Sequence, residues 1–190
     1  YEIRKVTGVQ TCALPIYVAL QLIEIENSPW EDIPALLANL PQGLDETYIR
    51  MLKSIDSRYY PIVYRILLWI AMSEDPLTPR MLGEAAAIDP KVEPPFDPRK
   101  RLKGLETPTG LLKLLPGLLL VEEYGQYGHP VHTVHVKFSH FSVQEFLFST
   151  DLRVNPLEEV SRYALHKGEA NFFMAESCIC YHLYASQVED

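Results

Sequence analysis

The sequence predicts a mainly α-helical protein with minor β content: a helical segment, then a winged helix whose wing is a two-stranded β-hairpin, then further helices. Three observations carry that prediction. Apolar residues recur with helical spacing in successive blocks between residues 17 and 115. Two short stretches, 118–123 and 131–138, then read as strands on either side of the turn-forming string YGQYGHP, and in the second Val134, Val136 and Phe138 alternate with His135 and Lys137. Fifteen prolines cut the chain into short elements with firm starts and stops.

The first sixteen residues stand apart. Residues 6–16 read VTGVQTCALPI, which resembles the translation of a common short-read sequencing adapter. Residues 1–16 are therefore excluded from fold reasoning, as a processing scar would be. On that reading the natural protein is longer and this chain is a fragment of it. Cys12 then carries no meaning.

From Tyr17 the pattern is helical. Val18, Leu22 and Ile25 share one face, and Ile33, Leu36, Leu37 and Leu40 share another before Pro41-Gln42-Gly43 breaks the run. Leu44, Tyr48, Met51, Leu52 and Ile55 then predict an amphipathic helix. Its acidic pair Asp45-Glu46 lies first and Lys53 near the end, as the helix dipole favours. These helices make a segment over 17–57.

The winged helix is expected over 58–150. Pro61 suits a first helical turn, and Ile62 to Ile70 leave almost no polar face, so this helix should be central. Thr78-Pro79 opens the next helix, expected to reach Ile88 with Leu82, Ala85 and Ala86 inward. A proline-rich loop, a short basic run (Arg99, Lys100, Arg101, Lys103) and a helix over 109–115 follow. Helix, helix, helix, strand, turn, strand is the layout of a winged helix. Beyond it, 151–190 should begin a helical continuation, with one helix from Asn155 to Gly168 and another from Ala170 to Ser186.

The junction between wing and continuation, VHVKFSHFSVQEFLFS over 134–149, is the most informative stretch. Ser142 with Glu145 three residues on fits a capping box, and Phe141 with Phe146 fits a hydrophobic staple. That leaves His140 with no structural role, beside a helix N-terminus where backbone N–H groups attract anions.

Other chemistry is weakly represented. The net charge of −8 does not mark a nucleic-acid or membrane-surface protein. The segment 59–149 holds nine basic and ten acidic residues, and its third helix, GLLKLL, offers no side chain to read base edges. The basic run is read as a solvated loop. Cys178 and Cys180 are expected to be buried thiols, not a disulfide or a zinc site. His129, His132 and His135 do not form a ligand set, because His132 and His135 fall on opposite sides of a strand. With Ser142 taken as a cap, no nucleophilic triad and no catalytic residue is expected. No apolar run approaches the ~20 residues that a bilayer requires.

Four blocks of this chain, in order, resemble one family. They are LPQGLDETY at 40–48, ILLWIA with PLT at 66–78, LPGLL at 115–119, and SHFSVQEFL at 139–147. They are similar to the region that follows the NTPase core in fungal NACHT proteins, members of the signal-transducing NTPases with numerous domains. The winged-helix part resembles the domain named after a GPI inositol-deacylase, and such proteins often continue into ankyrin repeats. The resemblance covers residues 17–186. It implies a cytoplasmic regulatory fragment in fungal signalling, non-self recognition or cell death. It implies a lid and relay between an ATP- or ADP-binding core and downstream sensor repeats. The partners implied are that core and those repeats, within one polypeptide, with possible oligomers of the full-length protein and no nucleic acid or membrane. No G-x-x-x-x-G-K-[ST] occurs here, so the fragment itself is non-catalytic and holds no cofactor or metal. In related switch ATPases a histidine at the end of the winged-helix hairpin contacts the ADP β-phosphate, and His140 matches it in position. The Met-His-Asp of plant relatives is Ser139-His140-Phe141 here. The alternative is a stand-alone winged-helix module that binds DNA or a protein partner, which salt-sensitive DNA binding would reveal.

Overall fold

Threonine and proline set where the central helices begin. The computed structural model describes residues 29, 31, 43–124 and 133–188. The helices expected over 18–40, the wing turn and the first residues of its return strand lie outside them. Helix α1 spans Leu44–Ser54 and α2 spans Tyr60–Met72. A 3-10 turn, Ser57–Tyr59, joins them. Helix α3, Pro79–Ala85, starts on Thr78, whose hydroxyl accepts from the Met81 N–H at 3.2 Å. Helix α4, Pro108–Leu114, starts the same way on Thr107, which accepts from the Gly110 N–H at 3.1 Å. In each of α2, α3 and α4 a proline occupies the first turn, where its missing N–H costs nothing.

Strands β1, Leu119–Tyr124, and β2, Thr133–Phe138, pair antiparallel, with Leu119 opposite Phe138 and Val121 opposite Val136. These four apolar residues share one face; Leu120, Glu122, His135 and Lys137 share the other. Glu122 and Lys137 form an ion pair across that outer face. The hairpin base is closed by Ser139, whose N–H donates to Leu118 O at 2.9 Å and whose hydroxyl donates to Gly117 O at 2.7 Å. Gly117 turns the chain into β1 at φ 75°, a conformation a side chain would strain. An isolated bridge adds Leu77, between α2 and α3, to the outer edge of β2: the Val136 N–H donates to Leu77 O at 2.8 Å. From Tyr60 to Phe138 the order is therefore helix, bridge, helix, helix, strand, strand.

After the hairpin come α5, Phe141–Leu147, α6, Thr150–Arg153, α7, Glu158–Ser161, and the long α8, Lys167–Val188. Among the described residues the protein is mainly helical, with this one two-stranded sheet.

Helix α2 is central, as its composition requires. Val63, Ile66, Leu67, Leu68 and Ala71 are buried on it. One continuous core surrounds it, drawing Tyr48 and Leu52 from α1, Leu82 from α3, Leu111 from α4, Val136 and Phe138 from the wing, and Val143 and Phe146 from α5. Leu152, Val160, Tyr163, Leu165 and Ala170 complete it from the segment after residue 150. Each such aliphatic or aromatic side chain contributes about 1.5–3 kcal/mol by leaving water.

Several expected elements differ. Of the helix expected from Asn155 to Gly168, only Glu158–Ser161 and the first two residues of α8, Lys167 and Gly168, are helical. The Leu165 N–H donates to Leu147 O at 2.8 Å, and Tyr163 and Leu165 are carried into the core, so tertiary packing overrides the local pattern. The helix expected to reach Ile88 ends at Ala85, because Ile88 pairs instead with Phe96 as an isolated bridge. Cys178 is exposed, not buried, and Cys180 is half-buried. Helix α8 lays its Ser177 face against the core, and Cys178 lies about 100° further round.

Candidate functional site

The residues around His140 form a polar network between α1 and the start of α5. Here the structure corrects the expected capping. The N-cap is His140, not Ser142, with extended backbone at φ −155° and ψ 154°. Its Nδ1 accepts from the Ser142 N–H at 3.2 Å, the bond that a serine or aspartate oxygen usually supplies. Glu145 is exposed on α5, so no capping box forms. Nor does the staple: Phe141 is 47 % exposed and lies against the His140 ring at 4.1 Å, while Phe146 packs inward on Tyr48 at 5.4 Å. His140 thus has the structural role that the sequence pattern assigned to its neighbours.

Ser142 is released from capping and turns into the core, where it is 8 % exposed. Its hydroxyl lies 2.7 Å from His140 Nδ1 and 2.8 Å from the Tyr48 hydroxyl. The directions of these bonds follow from one another. Nδ1 accepts from a backbone N–H, so it carries a lone pair and the imidazole proton sits on Nε2. With that tautomer the Ser142 hydroxyl donates to Nδ1, sharing its one lone pair with the backbone N–H, and accepts from the Tyr48 hydroxyl. Tyr48 is 1 % exposed. Burial pushes its phenol above the ordinary value; the Ser142 bond works against that shift and the Asp45 carboxylate adds to it. The phenol is a fixed donor at neutral pH.

The result is a relay of three side chains, Tyr48 to Ser142 to His140, ending on Nε2–H. That atom has no hydrogen-bond partner among the described residues. Chemically the arrangement presents one imidazole N–H donor at the exit of the hairpin, with ring orientation fixed from behind. It is not a nucleophilic triad, because Ser142 is buried and both sides of its hydroxyl are engaged.

The remaining sequence candidates separate. Arg99 returns to Asp97 at 3.0 Å and Arg101 reaches towards Glu84 at 3.5 Å, so the basic run is dispersed around a cleft. His135 faces Glu122 on the outer side of the hairpin, and His129 and His132 lie outside the described residues. Among the described residues no three His, Cys, Asp or Glu side chains are grouped to hold a metal ion, and no helix is long and apolar enough to cross a membrane. Tyr48 is the site residue that sequence reasoning missed. Its inward position in α1 was legible, but its partner lies 94 residues away.

Fold and site together define a mainly helical protein with a hairpin and a hydrogen-bonded imidazole at its exit. Neither a family model nor a solved structure matches the chain. It is similar to a protein of Monascus ruber described as azaphilone pigments biosynthesis cluster protein L, at 33 % identity over 147 residues. The match takes in 77 % of this chain but spans only 29 % of that protein's length.

Proposed function

We propose that this chain is a non-catalytic regulatory region of a NACHT-type signal-transducing NTPase. In this reading the segment 58–150 is a winged-helix lid, 17–57 is the end of the NTPase module, and 151–190 begins the link to sensor repeats. The observation that carries the proposal is the setting of His140. It stands where the second wing strand gives way to a helix, held by Ser142 and Tyr48, with Nε2–H unengaged among the described residues. An N–H donor of fixed direction suits a phosphate oxygen. The bridge of Leu77 onto β2 supports the winged-helix reading, since it ties the hairpin to the connection between α2 and α3.

The chain has no phosphate-binding loop of its own, so a nucleotide would be cradled elsewhere in the polypeptide. ATP or ADP would supply the charge that the lid responds to. His140 would add one donor to the ADP-bound, closed form, and loss of that contact would shift the population towards the open form. The apolar side chains that α8 leaves exposed, Phe172 at 66 %, Ile179 at 60 % and Leu183 at 56 %, suit continued packing against further helices of the same polypeptide.

The test uses the full-length protein and separates capping from phosphate contact. His140→Asn keeps an N-cap acceptor but removes the Nε2 donor, because asparagine is among the best N-caps. The expected result is near-normal stability with faster ADP release and raised signalling activity. ADP retention equal to that of the unmodified protein would overturn the assignment.

A further inference from the structure

A second polar feature lies away from His140 and plays no part in the reading above. Helix α3 and the segment over 98–106 line an open cleft of about 470 Å³, within the range that holds small ligands. Its rim carries four cations, Arg80, Arg99, Arg101 and Lys103, against two carboxylates, Glu84 and Glu106. In a protein of net charge −8 this is a local reversal of sign.

The carboxylates do not satisfy those cations. Arg80 Nε lies 3.7 Å and Arg101 Nη2 3.5 Å from the same oxygen, Glu84 Oε1, both longer than a well-formed N–H···O bond. The other oxygen of Glu84 already accepts from the Tyr181 hydroxyl at 3.0 Å. Glu106 spends one oxygen on the Gly104 N–H at 3.1 Å. The Arg99 fork is turned onto Asp97, whose carboxylate it meets at 3.0 and 3.2 Å. The Lys103 ammonium has no ion-pair partner among the described residues. Two exposed guanidinium groups and an exposed ammonium therefore line one concave space, and the two guanidinium groups share Glu84 Oε1 as their near carboxylate oxygen.

The walls are fixed. Leu105, near the end of the segment, is 3 % exposed, and the Arg101 guanidinium lies 5.5 Å from the ring centroid of buried Phe96. Phe96 in turn meets the rings of Tyr181 and Tyr184 on α8 at 5.3 and 4.8 Å. The cation on Arg101 is thus positioned by packing and not only by Glu84.

We infer that this cleft binds a small ligand bearing one or two phosphate groups, with Arg80, Arg101 and Lys103 supplying the donors that Glu84 leaves unsatisfied. A phosphate offers several strong acceptor oxygens in a compact volume, which matches an excess of N–H donors. An extended nucleic-acid backbone fits less well, because the chain as a whole carries a net charge of −8.

The experiment is calorimetric titration of the full chain with sodium pyrophosphate at low and moderate salt. Saturable one-to-one binding is expected. Lys103→Gln and Arg101→Gln should each weaken it by about tenfold or more, as expected for loss of one charged hydrogen bond. Arg153→Gln, an exposed change on α6, should leave it unaltered. Lys103 has no ion-pair partner to lose, so its variant tests the site without threatening the fold. Absence of saturable binding, or equal binding by the Lys103→Gln protein, would overturn the inference. So would tight, salt-sensitive binding of a short duplex DNA in place of pyrophosphate.

Discussion

The Tyr48–Ser142–His140 relay makes a quantitative prediction through a double-mutant cycle. Ser142→Ala removes the hydroxyl that accepts from Tyr48 and donates to His140 Nδ1. The Ser142 N–H still donates to Nδ1, so the helix cap persists. The Tyr48 hydroxyl, on a side chain 1 % exposed, then has no partner. A buried donor left unmatched costs about 1–3 kcal/mol, and a small cavity where the hydroxyl stood adds to it. Ser142→Ala should therefore destabilise by about 2–3 kcal/mol, a fall in Tm of roughly 4–12 °C for a chain of this length. Tyr48→Phe keeps the ring on Phe146 and leaves Ser142 able to donate to His140; its cost should be about 1 kcal/mol. In the double variant no orphan phenol exists. Its destabilisation should fall short of the sum of the single costs by about 1 kcal/mol or more. Urea unfolding followed by circular dichroism measures all three. Additive effects within about 0.3 kcal/mol would mean that Tyr48 and Ser142 are neighbours without coupling, and the directional argument would fail.

Two further outcomes follow from burial. Tyr48, Tyr60, Tyr64 and Tyr163 are all shifted above the ordinary phenol value, with burial the leading cause in each. A raised folded-state value for an acid means stability fully present below pH 10 and lost as the pH rises past it, because the unfolded chain ionises first. Unfolding above pH 10 should coincide with a cooperative rise in tyrosinate absorbance; gradual ionisation with helicity intact would contradict this packing. The faces of α2 and α8 should also respond oppositely. Ile66→Ala, at a fully buried position, should cost about 2–5 kcal/mol, and Phe172→Ala, at 66 % exposure, within about 0.5 kcal/mol. A similar loss for both in thermal unfolding would show that α8 is covered on its outer side.

Much of the frame is legible in the chain because its signals are local. The apolar run of α2, the Thr78-Pro79 helix start and the alternation of the second wing strand each lie within a few neighbouring residues. The site was less so. S-x-x-E from Ser142 matches a capping box, yet a ring nitrogen two residues earlier outcompetes it, and the displaced hydroxyl finds Tyr48 instead. Nothing near Ser142 in sequence encodes that partner. The same limit applies after residue 154, where Tyr163 and Leu165 are held by contacts to elements made much earlier. Cys178 shows a different one: α8 spreads polar and apolar residues evenly around its axis, so periodicity does not say which face turns inward.

The core that α2 anchors has a consequence for how the protein is made. Its covering residues are distributed to the far end of the described chain: the Tyr60 hydroxyl donates to Arg162 O, a partner 102 residues later, and Ala170 closes the same cluster. At a synthesis rate of about 5–20 residues per second, α2 waits on the order of ten seconds before the last of these side chains leaves the ribosome. During that interval a nearly all-apolar helix has only part of its cover. The nascent chain is then a natural client for chaperones, and a ribosome stalled near residue 150 would hold a segment that cannot complete its fold.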